Sequence, residues 1–182
     1  MNRVATKLEG PILIEPAVHG DARGFFVETY RRSEYEALGI REDFVQDNHS
    51  RSARGVVRGI HFQLPPGQAK LVRCARGTIM DVVVDLRRQS PTYRQWEAHE
   101  LSDQNQRQLY VPIGFGHGFC VLSDVADVIY KVSGYYDPSI ERGIAYDDPD
   151  VGVEWPADIE LSVSERDATA PHLRDVADEL PW

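Results

Sequence analysis

Three short segments hold most of the residues whose types and spacing could do acid–base chemistry. The first, Val56-Val57-Arg58-Gly59-Ile60-His61-Phe62-Gln63, places a guanidinium and an imidazole inside a run that otherwise reads as a strand. Histidine suits a base at neutral pH, although a core histidine that is merely hydrogen-bonded leaves the same short pattern. Strict alternation puts Arg58 and His61 on opposite faces. For both to line one cavity the ladder must be irregular, and Gly59 is the natural place for a bulge. The second segment, Pro112-Ile113-Gly114-Phe115-Gly116-His117-Gly118-Phe119, surrounds His117 with glycines. That suits either a tight turn before a strand or backbone held close to a ligand. The third, Ser164-Glu165-Arg166-Asp167, reads by itself as a charged surface loop.

Lys70 adds a fourth feature. The chain has only three lysines, Lys7, Lys70 and Lys131, and arginine carries the rest of its positive charge. Lys70 shares a strand face with Val72 and Cys74, where a lysine needs an open cavity or a partner. Other chemistries lack their signatures. No two histidines stand two residues apart, so the His-x-His pair of many β-barrel metal sites is missing. There is no GxxxxGK[ST] phosphate loop, no strand-turn-helix GxGxxG and no Gly-x-Ser-x-Gly elbow.

The elements that must position these residues are strands. Short apolar, β-branched runs recur at Ile12-Ile14, Phe25-Tyr30, Val56-Phe62, Leu71-Cys74, Thr78-Leu86, Trp96-Leu101, Leu109-Val111, Phe119-Leu122 and Val128-Val132. With Pro and Gly spread throughout, this predicts an all-β sandwich or barrel rather than βαβ units. Alternation puts Val128, Tyr130 and Val132 on one apolar face, so Tyr130 is expected to point inward. It also separates Met80, Val82 and Val84 from Asp81, Val83 and Asp85. A short helix is expected at Ser33-Leu38, capped by Ser33 and ended by Gly39, and a second within Pro171-Leu180.

At 182 residues the chain suits one domain, with a core at about 11–160 and a C-terminal segment, 161–182, that carries Asp167. A net charge of −9 argues against a general nucleic-acid binder. No apolar run approaches membrane-spanning length, and Met1 to Lys7 lacks the apolar core of a secretory signal. Cys74 and Cys120 form no CxxC, which fits two free thiols in a cytoplasmic protein.

The ordered motifs carry more. They run Asp21-x-Arg23-Gly24-x-Phe26, Gln46-Asp47-Asn48-x-Ser50, Arg58-Gly59-Ile60-His61-x-Gln63, Lys70-Leu71-Val72-Arg73, Asp81-Val82-Val83-Val84-Asp85-x-Arg87 and Ser90-Pro91-Thr92. They continue through Pro112-x-Gly114-Phe115-x-His117-Gly118-Phe119, Tyr130-Lys131, Tyr135-Tyr136, Asp148-Pro149, Trp155-Pro156 and Ser164-x-x-Asp167. In this order the chain resembles the dTDP-4-dehydrorhamnose 3,5-epimerase family from about Gly20 to Pro171. It departs at Arg94, where the family usually has Gly, at Arg166, often Lys, and at Ile60, commonly Leu.

The resemblance implies a double-stranded β-helix, the cupin-type jelly roll, with a few short helices, assembled as a homodimer without metal or organic cofactor. It implies a dTDP-linked 4-keto-6-deoxyhexose as substrate, inverted at C3 and C5. His61 matches the general base, Asp167 its partner, Tyr130 the acid on the opposite face and Lys70 the cation near the C4 carbonyl. Arg23, Phe26, Glu28, Gln46, Asn48, Arg58, His117, Glu141 and Arg166 match substrate-binding positions, and Tyr136 an aromatic that stacks on thymine. A ketone acidifies its neighbouring C–H bonds, so a base, an acid opposite it and a cation for the enolate suffice. Competing readings are an epimerase of C3 or C5 alone, a metal-dependent cupin oxygenase or isomerase, and a non-catalytic sugar-nucleotide-binding jelly roll.

Overall fold

The computed structural model describes residues 1–182. Its strands are β1 (Asn2–Val4), β2 (Ile12–Glu15), β3 (Val18–Asp21), β4 (Gly24–Val27), β5 (Gln46–Ala53), β6 (Val56–Gln63) and β7 (Lys70–Arg76). They continue as β8 (Thr78–Asp85), β9 (Trp96–Ser102), β10 (Gln108–Val111), β11 (Phe115–Val121), β12 (Val125–Val132), β13 (Glu141–Gly143) and β14 (Ser162–Val163). Helices are confined to α1 (Arg32–Ala37), α2 (Glu165–Ala168), α3 (Leu173–Val176) and a 3-10 turn at Ala177–Glu179. None is long and apolar enough to cross a membrane.

Two six-stranded sheets form. One runs β1-β2-β10-β7-β12-β5; the other runs β13-β6-β11-β8-β9, with β14 added in parallel to β6. The remaining pairings are antiparallel, the double-stranded β-helix of an all-β jelly roll. The β3–β4 hairpin stands apart from both sheets. Strand alternation explains the layers. Inward-facing Val72, Cys74, Val83, Leu109, Phe119, Val121 and Val128 fill the space between the sheets, and Tyr130 packs against them as expected. The outer face of the second sheet is apolar too: Ile60, Phe62, Val82 and Val84 are covered by Leu173, Val176, Leu180 and Trp182 of the C-terminal segment. Helix α1 covers the outer face of the first sheet, with Tyr35 and Ile40 on Ile12, Ile14 and Leu71.

Four local expectations are corrected. Helix α1 starts at Arg32, and Ser33 does not cap it; the N-cap is Arg31, without a side-chain bond. Its end is as expected, because Gly39 has φ +99° and the Gly39 and Ile40 N–H groups donate to the Glu36 and Tyr35 carbonyls, a Schellman ending. The run Phe25-Tyr30 is not a core strand: β4 ends at Val27, and Phe25 and Phe26 face solvent. His117 lies within β11 rather than in a turn before it. Ser164-Asp167 is not a surface loop but a helical turn that buries Asp167. Arg94 has φ +69°, the left-handed region that favours glycine.

Candidate active site

The irregular pairing of β6 decides which way its side chains point. His61 opposes His117, and Arg58 opposes Phe119, so three steps along β6 match two along β11. The extra residue falls at Gly59-Ile60, a cis peptide whose glycine has φ +125°. Arg58 and His61 therefore face the same side, as a common cavity requires. Glycine is needed twice here: a Cβ at Gly59 would lie 2.5 Å from the Gly118 Cα and 2.7 Å from the His117 carbonyl oxygen.

A cavity of about 690 Å³ opens between the sheets beyond the apolar core. Arg58, His61, His117 and Phe119 line the wall made by the second sheet; Ser50, Lys70 and Tyr130 line the wall made by the first. Tyr136, Glu141, Ser164, Arg166 and Asp167 also line it. His61 and Tyr130 thus stand on opposite walls.

Asp167 arrives because β14 pairs with the start of β6 and α2 follows at once. Its N–H donates to the Ser164 Oγ at 3.1 Å, and its Oδ1 lies 2.6 Å from the His61 Nε2. Its Oδ2 accepts from the Gly59 N–H at 3.4 Å. Burial pushes the Asp167 carboxyl up, but His61, the Gly59 N–H and the Ser164 hydroxyl outweigh it and hold the group below the usual carboxylate range. With Nε2 on a carboxylate, the His61 Nδ1 is the nitrogen left to accept a proton. Gly143, paired with His61 on its other side, leaves room for the ring.

Lys70 reaches across the gap, its Nζ donating to the His61 carbonyl at 3.4 Å. Burial pushes its pKa down to about 8, against the opposing pull of Glu141 and Asp81. The Tyr130 hydroxyl is pushed up, first by burial and then by the Glu141 charge, so it stays protonated at neutral pH. His117 is buried, its Nε2 2.8 Å from the Asp81 Oδ1. At the mouth Arg166 pairs with Glu141 at 3.0 Å. Half-exposed Tyr136 is tied by its N–H to the Gln46 Oε1.

Other expected positions lie outside the cavity wall. Gln46 and Asn48 bond to each other on β5, on the same strand face as Ser50. Arg23 pairs with Asp21, Glu28 pairs with Arg31, and the Phe26 ring is 68% exposed. Ser50, Ser164 and Asp81 went unassigned in the sequence. The Asp81 signal was legible: a carboxylate inside a strand otherwise fit for a core. No group of three or more His, Cys, Asp or Glu side chains is arranged to hold a metal ion.

A family model described as dTDP-4-dehydrorhamnose 3,5-epimerase matches residues 5–175. A dTDP-4-dehydrorhamnose 3,5-epimerase of Pseudomonas aeruginosa is 48% identical over 97% of this chain and 99% of its own. A dTDP-4-dehydrorhamnose 3-epimerase of Streptomyces niveus is 46% identical over 94% of this chain and 83% of its own. The dTDP-6-deoxy-D-glucose-3,5-epimerase of Legionella pneumophila, solved in complex with dTDP-4-keto-L-rhamnose, superposes with a TM-score of 0.96. It is 45% identical, and the match covers 99% of this chain and 97% of that one. The chain therefore belongs to the dTDP-4-dehydrorhamnose 3,5-epimerase family.

Proposed function

We propose that this protein inverts C3 and C5 of a dTDP-linked 4-keto-6-deoxyhexose by proton transfer through an enolate. The observation that carries the reading is the His61–Asp167 pair on one cavity wall, with Tyr130 and Lys70 on the wall facing it. The His61 Nδ1 removes the proton beside the ketone, and Asp167 orients the ring and stabilises the imidazolium. Negative charge develops on the ketone oxygen, where the Lys70 ammonium meets it. Tyr130 returns a proton to the opposite face of the carbon, which inverts it. Exchange with solvent then restores the phenol and the neutral imidazole. Arg58 and Arg166 suit the diphosphate, Glu141 and His117 other polar groups of the substrate, and Tyr136 the thymine ring.

Arg23, Phe26 and Glu28 belong to the substrate set only if a second copy uses them, since none lines the cavity of its own chain. A homodimer in which each β3–β4 hairpin serves the other copy's cavity accounts for its exposed phenylalanines. Two free, buried thiols fit a cytoplasmic location.

The deciding experiment is incubation with the 4-keto substrate in deuterium oxide, read by NMR with and without a chelator. Label at both C3 and C5, unaffected by chelation, is expected. Label at one carbon would make this a mono-epimerase like the Streptomyces niveus relative, and loss on chelation would mean metal chemistry. His61→Ala is expected to abolish exchange at both positions; normal exchange in that variant removes His61 as the base.

A further inference from the structure

Four buried side-chain polar atoms have no hydrogen-bond partner within the chain: the Ser50 Oγ, the Asp81 Oδ2, the Glu97 Oε1 and the His99 Nε2. Three of them belong to adjoining positions. Asp81 on β8 directly opposes His99 on β9, and Glu97 lies two residues before His99 on the same strand face. Directly opposed side chains start about 5 Å apart at Cβ, within reach of one another. The Glu97 Oε1 and His99 Nε2 are 3.6 Å apart, and the other Glu97 oxygen accepts the Lys7 N–H at 2.6 Å. The Asp81 Oδ1 is bound to His117, which lines the cavity.

We propose that Asp81 is a positioning residue for the reaction, holding His117 as its Nε2–H tautomer from behind. The hydrogen-bonding inventory leaves little choice. Ionised carboxylates only accept, so the nitrogen facing each one must carry a proton. His117 therefore donates from Nε2 to the Asp81 Oδ1, and its Nδ1, which has no partner in the chain, is the acceptor it offers to a sugar hydroxyl. His99 approaches Glu97, at 3.6 Å, rather than Asp81, whose one side-chain bond is to His117. Buried polar groups are rarely left unpaired, and the bond to a buried carboxylate fixes the His117 ring orientation. The inference rests on the epimerase reading for what His117 contacts, but not for the tautomer.

The test begins without substrate. Ring ¹⁵N–¹H correlation spectra of histidine-labelled protein are expected to show His117 protonated at Nε2 and bare at Nδ1. Protonation at Nδ1 alone in the wild type overturns the proposal without any variant. Asp81→Asn keeps the shape but can donate, so the tautomer signal should change. With Tm little altered, kcat/KM should fall at least about 10-fold, as expected for a lost supporting contact or a wrong tautomer. Because Asp81 acts through His117, Asp81→Asn should cost nothing further in a His117→Ala background. Full additivity, or wild-type kcat/KM in Asp81→Asn, overturns the proposal. If the wild type moves no deuterium into the 4-keto sugar, the epimerase reading fails instead, and the ring spectrum still decides the role of Asp81.

Discussion

Lys70 shows how a residue can be costly to the fold and suited to the chemistry for the same reason. Burial lowers its pKa to about 8 from the ordinary 10.5, so at neutral pH the folded chain holds a cation that water would hold more comfortably. The proposed enolate needs that cation. It is present below about pH 8 and lost above, so kcat/KM should fall as pH rises through about 8. Stability responds with the opposite sign. Between about pH 8 and 10.5 the folded chain binds fewer protons at Lys70 than the unfolded chain does, so this group's contribution to stability improves with rising pH. Lys70→Met, close in shape and uncharged, should lose about 100-fold or more in kcat while raising Tm by a few degrees. Steady-state kinetics across pH and a thermal melt check both halves. An unchanged basic limb in Lys70→Met would assign that limb to another group.

At the scale of elements, the catalytic pair depends on one helical turn. Helix α2 has four residues, too few to be stable alone, and it is held by the Ser164 cap and by the docking of β14 on β6. Ser164→Ala removes the bond to the Asp167 N–H and should cost about 1 kcal/mol in denaturant unfolding. It should lower kcat more than it raises KM, because it loosens the carboxylate behind His61 rather than a binding contact. Loss confined to KM would place Ser164 in binding instead. This turn was illegible in the bare sequence because Ser-Glu-Arg-Asp is equally at home in a solvated loop. Strand β5 was illegible for a related reason. One of its faces meets solvent and the other is polar too, with Ser50 on the cavity, so Gln46-Asp47-Asn48-His49-Ser50 shows no apolar alternation. Strands whose inner face is largely apolar, such as β8 and β12, were legible, and so was the need for a bulge at Gly59. Spacing alone could not show that Asp167, 106 residues away, would reach His61; only the family resemblance named it.

The whole molecule divides its inner space between an apolar core and a polar cavity, and within one chain that cavity lacks the hairpin residues Arg23, Phe26 and Glu28. The β3–β4 ribbon has no third strand and leaves Phe25 61% exposed and Phe26 68% exposed. A two-stranded ribbon is marginal in water unless something packs on it. A two-fold partner would supply that packing, and the exchange would be reciprocal, each copy's hairpin closing the other's cavity. Complementation tests this directly. His61→Ala spares the hairpin and removes the base; Arg23→Ala spares the base and removes a hairpin cation. Each alone should be nearly inactive. After the two are mixed and allowed to re-pair at random, half of the dimers are mixed, and each mixed dimer holds one intact cavity. About a quarter of the wild-type activity should therefore return. If each hairpin served its own chain, no mixture could restore an intact site, and activity would stay at the level of the two variants alone.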